Sequence, residues 1–212
     1  MKSPVFDEAF REQLAELFRW RRDVRHFRPD PIERDALEAL VAEATLSPSV
    51  GFSQPWRFVA VETPERREAI VASFARANES ALAGYTGDDA RKYASLKLAG
   101  LREAPVHLAV FCDEATERGK GLGRVTMPET LAYSAANAVY TFWLAARALG
   151  IGAGWVSILE PAVVTQALDV PAEWKLIAYL CVGYPHEDFE SPELQRAGWE
   201  TRDPRSSELY LR

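Results

Sequence analysis

Residues that build metal centres and covalent cross-links are scarce in this sequence. It contains two cysteines and three histidines among 212 residues. Cys112 and Cys181 lie inside the apolar runs AVFCD and AYLCVGY, which predicts two reduced core thiols and no disulfide. His26, His107 and His186 are scattered along the chain, and His107 falls in a run typical of a core strand. We therefore expect neither a disulfide framework nor a bound metal.

An excess of positive charge and long apolar runs are also lacking. The formal net charge is -6, whereas a broad nucleic-acid footprint needs a basic face that releases condensed counterions. No run approaches the roughly 20 apolar residues of a membrane span, and the start MKSPVFDEAFREQ lacks the apolar core of a signal peptide. Because 48% of the residues are hydrophobic, the chain can bury one sizeable core. We expect one cytoplasmic domain over residues 1–212, with no nucleic-acid or membrane partner.

Helical periodicity is clear in the first third of the chain. Apolar residues at helical spacing predict helices over residues 7–20 and from Pro64 to about residue 78. Between them, a helix is predicted to begin with Asp30 as its N-cap, Pro31 at its first position and Glu33 at its third.

Strand patterns are found in three places. Residues 57–62, 106–112 and 176–183 are rich in apolar and β-branched residues, and the last two segments are apolar on both faces, as in central strands. No regular crossover helices separate the strands, so the pattern favours an α+β fold over a doubly wound sheet.

One long apolar helix is predicted in the second half. Thr126 to Glu129 (TMPE) resembles a capping box that opens a helix running to Leu149, with Gly150 as its C-cap. Its sequence is apolar nearly all round. Such a helix must be covered on every side, and a domain of this size cannot cover it alone. We therefore infer a homodimer packed along residues 130–147.

Two segments have mixed or polar composition. Residues 79–103 carry charged and aromatic residues interrupted by Gly84, Gly87 and Gly100, which is consistent with a lid or with a plain solvated excursion. From Pro192 onwards the chain turns polar, which predicts a tail that wraps over another part of the molecule.

Residues 19–28 (RWRRDVRHFR) hold five arginines in an acidic chain. Guanidinium groups pair with phosphate oxygens in a bidentate fashion, so the cluster suits one phosphorylated ligand, although solvated surface arginines are the ordinary alternative. Asp23, in the middle of the cluster, is either a salt-bridge partner or a catalytic carboxylate.

Two glycine-containing loops are further candidates for a site. In Pro48 to Trp56 (PSVGFSQPW), Gly51 permits close backbone approach to a flat ring, while Ser49, Ser53 and Gln54 offer directional hydrogen bonds. The second loop, Gly150 to Ser157 (GIGAGWVS), lacks the third glycine of a dinucleotide-binding fingerprint. Its glycines are equally compatible with a helix cap followed by a strand.

Taken in order and spacing, the segments RRDVR at 21–25, PSVGFSQPW at 48–56 and GWVS at 154–157 resemble the nitroreductase-like flavin family. The similarity extends from about Phe18 to Trp199. The resemblance implies a nitroreductase-like α+β fold, in which helices flank a central, mostly antiparallel sheet. It also implies an intertwined homodimer that binds FMN.

Asp23 and Phe52 separate two branches of that family. Ordinary nitroreductases usually have a small residue where Asp23 stands and an asparagine where Phe52 stands. The acidic and apolar residues at these positions resemble the branch of 5,6-dimethylbenzimidazole synthases. That resemblance implies that reduced FMN is a substrate and reacts with dioxygen. The products would be erythrose 4-phosphate and 5,6-dimethylbenzimidazole, the lower ligand of cobalamin.

The family pattern also implies roles for individual residues. Asp23 would be the base for cleavage of the ribityl chain, and Ser157 would orient the flavin ring. Part of the loop contact is expected from the partner subunit. The remaining flavin contacts implied by the resemblance are Arg21, Arg22, Arg25, Ser49, Gly51, Gln54, Leu98, Gly154, Trp155 and, in the tail, Arg205.

Two other functions remain open at this point. An NAD(P)H-dependent nitroreductase or flavin reductase would keep FMN as a prosthetic group and reduce an external acceptor. A synthase would instead depend on reduced FMN, for which a separate flavin reductase is one source. A flavin carrier without catalytic activity is the third possibility. Asp23 argues against a carrier, because a buried carboxylate beside an anionic ligand costs binding energy.

Overall fold

The computed structural model describes residues 3–212. The helices are α1 Glu8–Trp20, α2 Arg34–Ala44, α3 Pro64–Leu82, α4 Gly87–Ser95, α5 Thr130–Ala148, α6 Pro161–Leu168 and α7 Glu193–Arg196. The strands are β1 Trp56–Ala60, β2 Val106–Asp113, β3 Gly152–Val156 and β4 Trp174–Gly183.

The four strands form one sheet in the order β1-β2-β4-β3. Each neighbouring pair is antiparallel. The two segments that are apolar on both faces, β2 and β4, occupy the centre, because only there are both faces covered. The prediction of an α+β fold with a central antiparallel sheet is confirmed.

Alternate residues of the central strands build two cores. On β2, Leu108 and Val110 face the layer that contains α2 and α5, where Phe142 is fully buried. Ala109 and Phe111, one residue out of phase, face the layer that contains α3 and α6. The sheet is therefore sandwiched between helices, and its period of two decides which core each side chain enters.

Two predicted helix starts are wrong. The second helix begins at Arg34 with Glu33 as its N-cap, so Asp30 lies outside it and pairs with Arg28 instead. The long helix α5 begins at Thr130, and its N-cap Glu129 makes no side-chain capping bond. Thr126 donates its hydroxyl to the Gly123 carbonyl of the preceding loop rather than capping the helix.

The helix α5 is 19 residues long and is covered on one face only in the single chain. Its inward face includes Phe142 and Trp143, whereas Tyr133 and Tyr140 are 55% and 45% exposed. The apolar composition of the helix therefore leaves an uncovered aromatic face. This observation is compatible with the predicted homodimer, which stays a prediction.

The segment predicted as a lid divides between three structures. The helix α3 continues to Leu82, α4 follows, and residues 96–100 form an irregular connection toward β2. Tyr93 is the buried residue of α4. In the tail, α7 forms at 193–196, and every residue from Glu200 to Arg212 is exposed.

Cys112 and Cys181 are free and buried, as predicted. Burial raises the pKa of the Cys112 thiol to about 11, so this thiol is protonated at neutral pH. Within residues 3–212, no group of three or more metal-binding side chains is found. The same residues contain no helix that is both long and apolar enough to cross a membrane.

Candidate functional site

The segment that follows α1 lies along the free edge of β3. Asp23 forms a parallel bridge with Ala153, and the Val24 amide donates to the Ala153 carbonyl at 3.1 Å. Gly152 and Gly154 permit this approach. A Cβ on Gly154 would overlap the Val24 carbonyl oxygen, and one on Gly152 would lie 2.7 Å from Val24 Cγ2. Gly152 and Gly154 of the GIGAGWVS loop are thus required by packing against the arginine-rich segment.

This edge pairing places the Asp23 carboxylate between two donors. Its Oδ1 accepts from the Trp155 backbone N–H and its Oδ2 from Arg25 Nε, both at 2.8 Å. Burial raises the pKa of Asp23, while Arg25 and the Trp155 N–H oppose the increase. The expected salt-bridge geometry is present, and the carboxylate is held in one orientation.

A cavity of about 330 Å³ opens beside this carboxylate. Arg22, Asp23 and Arg25 line it together with residues of α5 and of the segment after β4. The structure thus brings three of the expected site residues to one cavity. The other lining residues include Trp20, Trp143, Arg147, His186, Asp188, Glu193 and Arg196.

Three arginines of the segment have different partners. Arg25 spans from Asp23 to the Lys97 carbonyl, to which its Nη1 donates at 2.9 Å. Arg21 stacks on the Trp143 ring at 4.6 Å from the ring centroid, and its buried Nε has no hydrogen-bond partner. Arg22 donates to the Glu190 carbonyl at 2.6 Å. Their guanidinium groups are therefore held by the protein in distinct directions.

A second hollow beside Arg22 is lined by a tail residue that the sequence did not single out. Arg202 lines this hollow together with Arg19 and Arg22. Burial lowers the pKa of Arg22, and the positive charges of Arg21 and Arg202 lower it further. Arg205, the expected tail residue, forms an exposed ion pair with Asp203. Both arginines lie in the polar run TRDPRSS, so composition alone could not choose between them.

The PSVGFSQPW loop lies away from the Asp23 cavity in the single chain. It forms a short 3-10 turn over Val50–Phe52, and Gly51 packs against the backbone of Gly119, where an added Cβ would meet the Gly119 carbonyl at 3.0 Å. Ser49 Oγ accepts from the Gln54 amide at 3.1 Å. Phe52 is 72% exposed. The loop is therefore fixed by its own hydrogen bond and by packing against Gly119, with the Phe52 side chain exposed.

Gln54 has a fixed side-chain orientation. Its Oε1 accepts from Arg118 Nη2 at 3.0 Å, so its Nε2 is left to donate to a ligand. Its backbone adopts a left-handed conformation, with φ of 48°. Arg118 was not singled out from the sequence, because it approaches Gln54 across 64 residues of chain.

The remaining expected contacts surround the edge strand. Trp155 is half-buried on β3, with its ring centroid 6.4 Å from that of Trp143. Ser157 follows the last residue of β3 and is exposed. Leu98 is half-buried, next to the Lys97 carbonyl that binds Arg25. These residues lie on the elements that flank Asp23 and line none of the walls of its cavity.

Comparison with known proteins identifies a matching family and individual relatives. The nitroreductase family matches residues 18–184. A 5,6-dimethylbenzimidazole synthase from Rhodospirillum rubrum is 58% identical over 201 residues, which cover 95% of each chain. A 5,6-dimethylbenzimidazole synthase from Rhodobacter capsulatus is 45% identical over 199 residues, 94% of this chain and 96% of the relative.

Comparison with solved structures shows the same fold. Oxidised iodotyrosine deiodinase bound to FMN and 3-iodo-L-tyrosine aligns with a TM-score of 0.71 at 24% identity, over 94% of this chain and 97% of that one. A nitroreductase family protein from Clostridium difficile aligns with a TM-score of 0.65 at 21% identity, over 90% and 93% of the chains. The chain therefore belongs to the nitroreductase family and, within it, to the branch that includes the two 5,6-dimethylbenzimidazole synthases.

Proposed function

We propose that this protein is a 5,6-dimethylbenzimidazole synthase. It fragments reduced FMN, in a reaction with dioxygen, to 5,6-dimethylbenzimidazole and erythrose 4-phosphate, and so supplies the lower ligand of cobalamin. The name and the 58% identity of the Rhodospirillum rubrum relative support the proposal. Bound FMN supplies the redox-active ring, and a separate flavin reductase is the proposed source of its reduced form.

The observation that carries the proposal is the orientation of the Asp23 carboxylate. Each of its oxygens accepts one hydrogen bond from the protein, which leaves further lone pairs free to accept a proton. Arg25 and the Trp155 N–H prevent the carboxylate from rotating when a ligand enters. Asp23 is thereby suited to take a proton from the ribityl chain as a general base.

The arginines near the tail fit a phosphate group. Arg22 and Arg202 line one hollow and repel each other electrostatically. A phosphate placed between them would replace this repulsion with charge-assisted hydrogen bonds. The buried Arg21 Nε is a further donor without a partner. We assign Arg202, in place of Arg205, as the tail contribution to this site.

The other contacts are proposed for the ring and the ribityl chain. Gln54 would donate through Nε2, Ser157 would orient the ring with one hydrogen bond, and Trp155 and Phe52 would exclude water. The residues Ser49, Gly51, Leu98 and Gly154 complete this proposed set.

The experiment that tests the function is a single incubation. Reduced FMN is mixed with the wild-type protein in air, and 5,6-dimethylbenzimidazole and remaining FMN are quantified by chromatography. A synthase forms the benzimidazole and is purified nearly colourless, because it consumes its flavin. A yellow protein that oxidises NAD(P)H and forms no benzimidazole would identify the alternative, a nitroreductase or flavin reductase.

Removing either arginine of the proposed phosphate site should weaken FMN binding. Arg22→Ala and Arg202→Ala are each expected to cost about 1.5–3 kcal/mol, since a charge-assisted hydrogen bond is lost. Titration of oxidised FMN, followed by flavin fluorescence, measures the effect. Arg66→Ala, an exposed arginine on α3, is the control and should bind FMN as the wild type does. Unchanged affinity in both site variants would remove the phosphate assignment.

The protein should be a homodimer in solution. Several large apolar side chains are exposed on α5 and on loops near its N-terminus: Leu46, Phe52, Leu122, Val125, Met127, Tyr133 and Tyr140. A hydrogen bond between the Ser47 and Thr141 hydroxyls and one from the Val50 amide to Ser134 Oγ join the loop of Leu46 and Phe52 to the helix. A surface of this kind marks an interface.

Light scattering checks this prediction. Val125→Asp should shift the mass toward the monomer, because a charge would be buried at the interface. Val5→Asp, at a position that is 92% exposed near the N-terminus, should leave the mass unchanged. A wild-type monomer at micromolar concentration that still binds FMN would contradict the dimer.

A further inference from the structure

The tail and the lid-like segment meet in a group of three aromatic side chains, Tyr85, Tyr93 and Trp199. Tyr85 and Tyr93 stack with ring centroids 4.8 Å apart. Trp199 approaches both edge-on, at 5.5 Å from Tyr85 and 6.1 Å from Tyr93. Edge-to-face and stacked arrangements are the favourable geometries for aromatic rings. These three residues are called the aromatic clasp below.

The clasp anchors α4. Tyr93 is the buried residue of that helix, and its hydroxyl donates to Asn78 Oδ1 at 2.8 Å. The outward side of α4 is charged and solvated, with an exposed ion pair between Asp88 and Arg91. The position of α4 therefore depends on the contacts that Tyr93 makes with Asn78 and with the other two rings.

The clasp also anchors the tail. The helix α7 is followed by Gly198 with φ of 68°, and the Trp199 amide returns to the Leu194 carbonyl at 2.9 Å. This left-handed turn directs the chain toward α4. Trp199 is half-buried, whereas every residue after it is exposed. Trp199 is thus the last anchored residue before Arg202.

Both anchored segments lead back to the proposed flavin site. Beyond α4, the Lys97 carbonyl accepts from Arg25, and Gly100 packs so closely on Phe27 that a Cβ would overlap the ring. Beyond Trp199, Arg202 lies in the hollow with Arg22. The Asp23 segment is therefore held from one side by the lid-like segment and from the other by the tail.

We propose that Trp199 is a positioning residue, which fixes Arg202 at the proposed phosphate site and, through its contacts with Tyr85 and Tyr93, holds α4 in place. The inference rests on the proposed function for the identity of the ligand. The packing of one indole against two tyrosines then couples phosphate binding to the placement of the lid-like segment.

Two variants open the clasp from opposite sides. Trp199→Ala removes the tail ring, and Tyr85→Ala removes a ring that is 37% exposed on the lid side. Trp199→Phe keeps an aromatic ring and should restore most of the contact. Tyr210→Ala, in the exposed tail beyond the clasp, is the matched control. Circular dichroism and thermal melting establish that each variant is folded.

Binding of oxidised FMN tests the link to Arg202. Trp199→Ala should weaken binding about two- to tenfold, which corresponds to the loss of aromatic contacts. The same change in an Arg202→Ala background should have no further effect, because Trp199 acts through that arginine. A merely structural role would weaken binding equally in both backgrounds, and that result would overturn the proposal.

Limited trypsin digestion tests the link to α4. Cleavage at Arg91 and Lys92 should be about two- to tenfold faster in Trp199→Ala and Tyr85→Ala than in the wild type, because the helix opens locally more often. Tyr210→Ala should match the wild type. Equal cleavage rates in all four proteins would overturn the proposal. Neither readout needs turnover, so a wild type that forms no benzimidazole would count against the proposed function and leave the clasp intact.

Discussion

Replacing Asp23 by asparagine should reduce the yield of 5,6-dimethylbenzimidazole at least about a hundredfold, the effect expected for loss of a general base. FMN should still bind, because asparagine has nearly the same size. Its amide oxygen can still accept from the Trp155 N–H, which now donates to Asp23 Oδ1 at 2.8 Å. The flavin should be recovered oxidised and intact after incubation of the reduced form in air.

The readout has two parts, since product and surviving FMN are quantified in the same sample. Loss of product with retained FMN binding identifies a lost proton acceptor, whereas loss of both identifies a collapsed site. Ser157→Ala is a useful comparison, because it should lower the yield less by removing one orienting hydrogen bond. A variant Asp23→Asn that is as productive as the wild type would eliminate Asp23 as the base.

The pH dependence supplies an independent check on the same residue. Burial raises the pKa of Asp23, so the carboxylate becomes protonated at a higher pH than an ordinary aspartate. Product formation should therefore fall on the acid side, as the pH decreases through that raised pKa. The effect on the free energy of unfolding is opposite to that of an aspartate with a lowered pKa. Because the pKa of Asp23 is raised in the folded state, the protein loses stability as the pH rises through that pKa. A product yield that does not decrease at low pH would contradict the assignment of Asp23 as the general base.

Replacing Gly154 by alanine should abolish the site by a different route. A Cβ at this position would overlap the Val24 carbonyl oxygen, and a backbone atom cannot rotate away as a side chain can. The arginine-rich segment would have to leave the edge of β3, taking Asp23 with it. We expect a destabilisation of about 3 kcal/mol, at the upper end for overpacking. For a chain of this size, that corresponds to a decrease of roughly 6–12 °C in Tm.

Matched variants separate the backbone clash from a side-chain clash. Gly152→Ala would bring its Cβ to 2.7 Å from Val24 Cγ2, so the additional change Val24→Ala should rescue it. Val24→Ala should not rescue Gly154→Ala. Gly84→Ala, where the nearest contact is the Ala81 carbonyl at 3.3 Å, should change Tm little. Thermal melting and product yield together decide the result, and a stable, active Gly154→Ala protein would show that the edge pairing is dispensable.

Local patterns were sufficient to predict much of the framework. The central strands β2 and β4 are apolar on both faces, and the structure buries them at the centre of the sheet. The helix predicted over residues 7–20 is α1, with Asp7 as its N-cap. Such features depend on neighbouring residues, so sequence periodicity reports them directly. The predicted helix starts at Asp30 and Thr126 were wrong, because each side chain bonds a neighbour in the preceding loop instead: Asp30 pairs with Arg28, and Thr126 donates to the Gly123 carbonyl.

The candidate site shows the same division. The sequence alone placed a carboxylate among arginines at residues 21–25 and drew attention to the glycines before Ser157. Only the tertiary structure showed why these belong together, since the carbonyl of Val24 occupies the space that a side chain on Gly154 would need. The pairing of Arg202 with the hollow around Arg22 depends on the path of a tail 180 residues away in sequence. Composition and spacing do not predict such contacts, because the packing of elements distant in the sequence decides which residues meet.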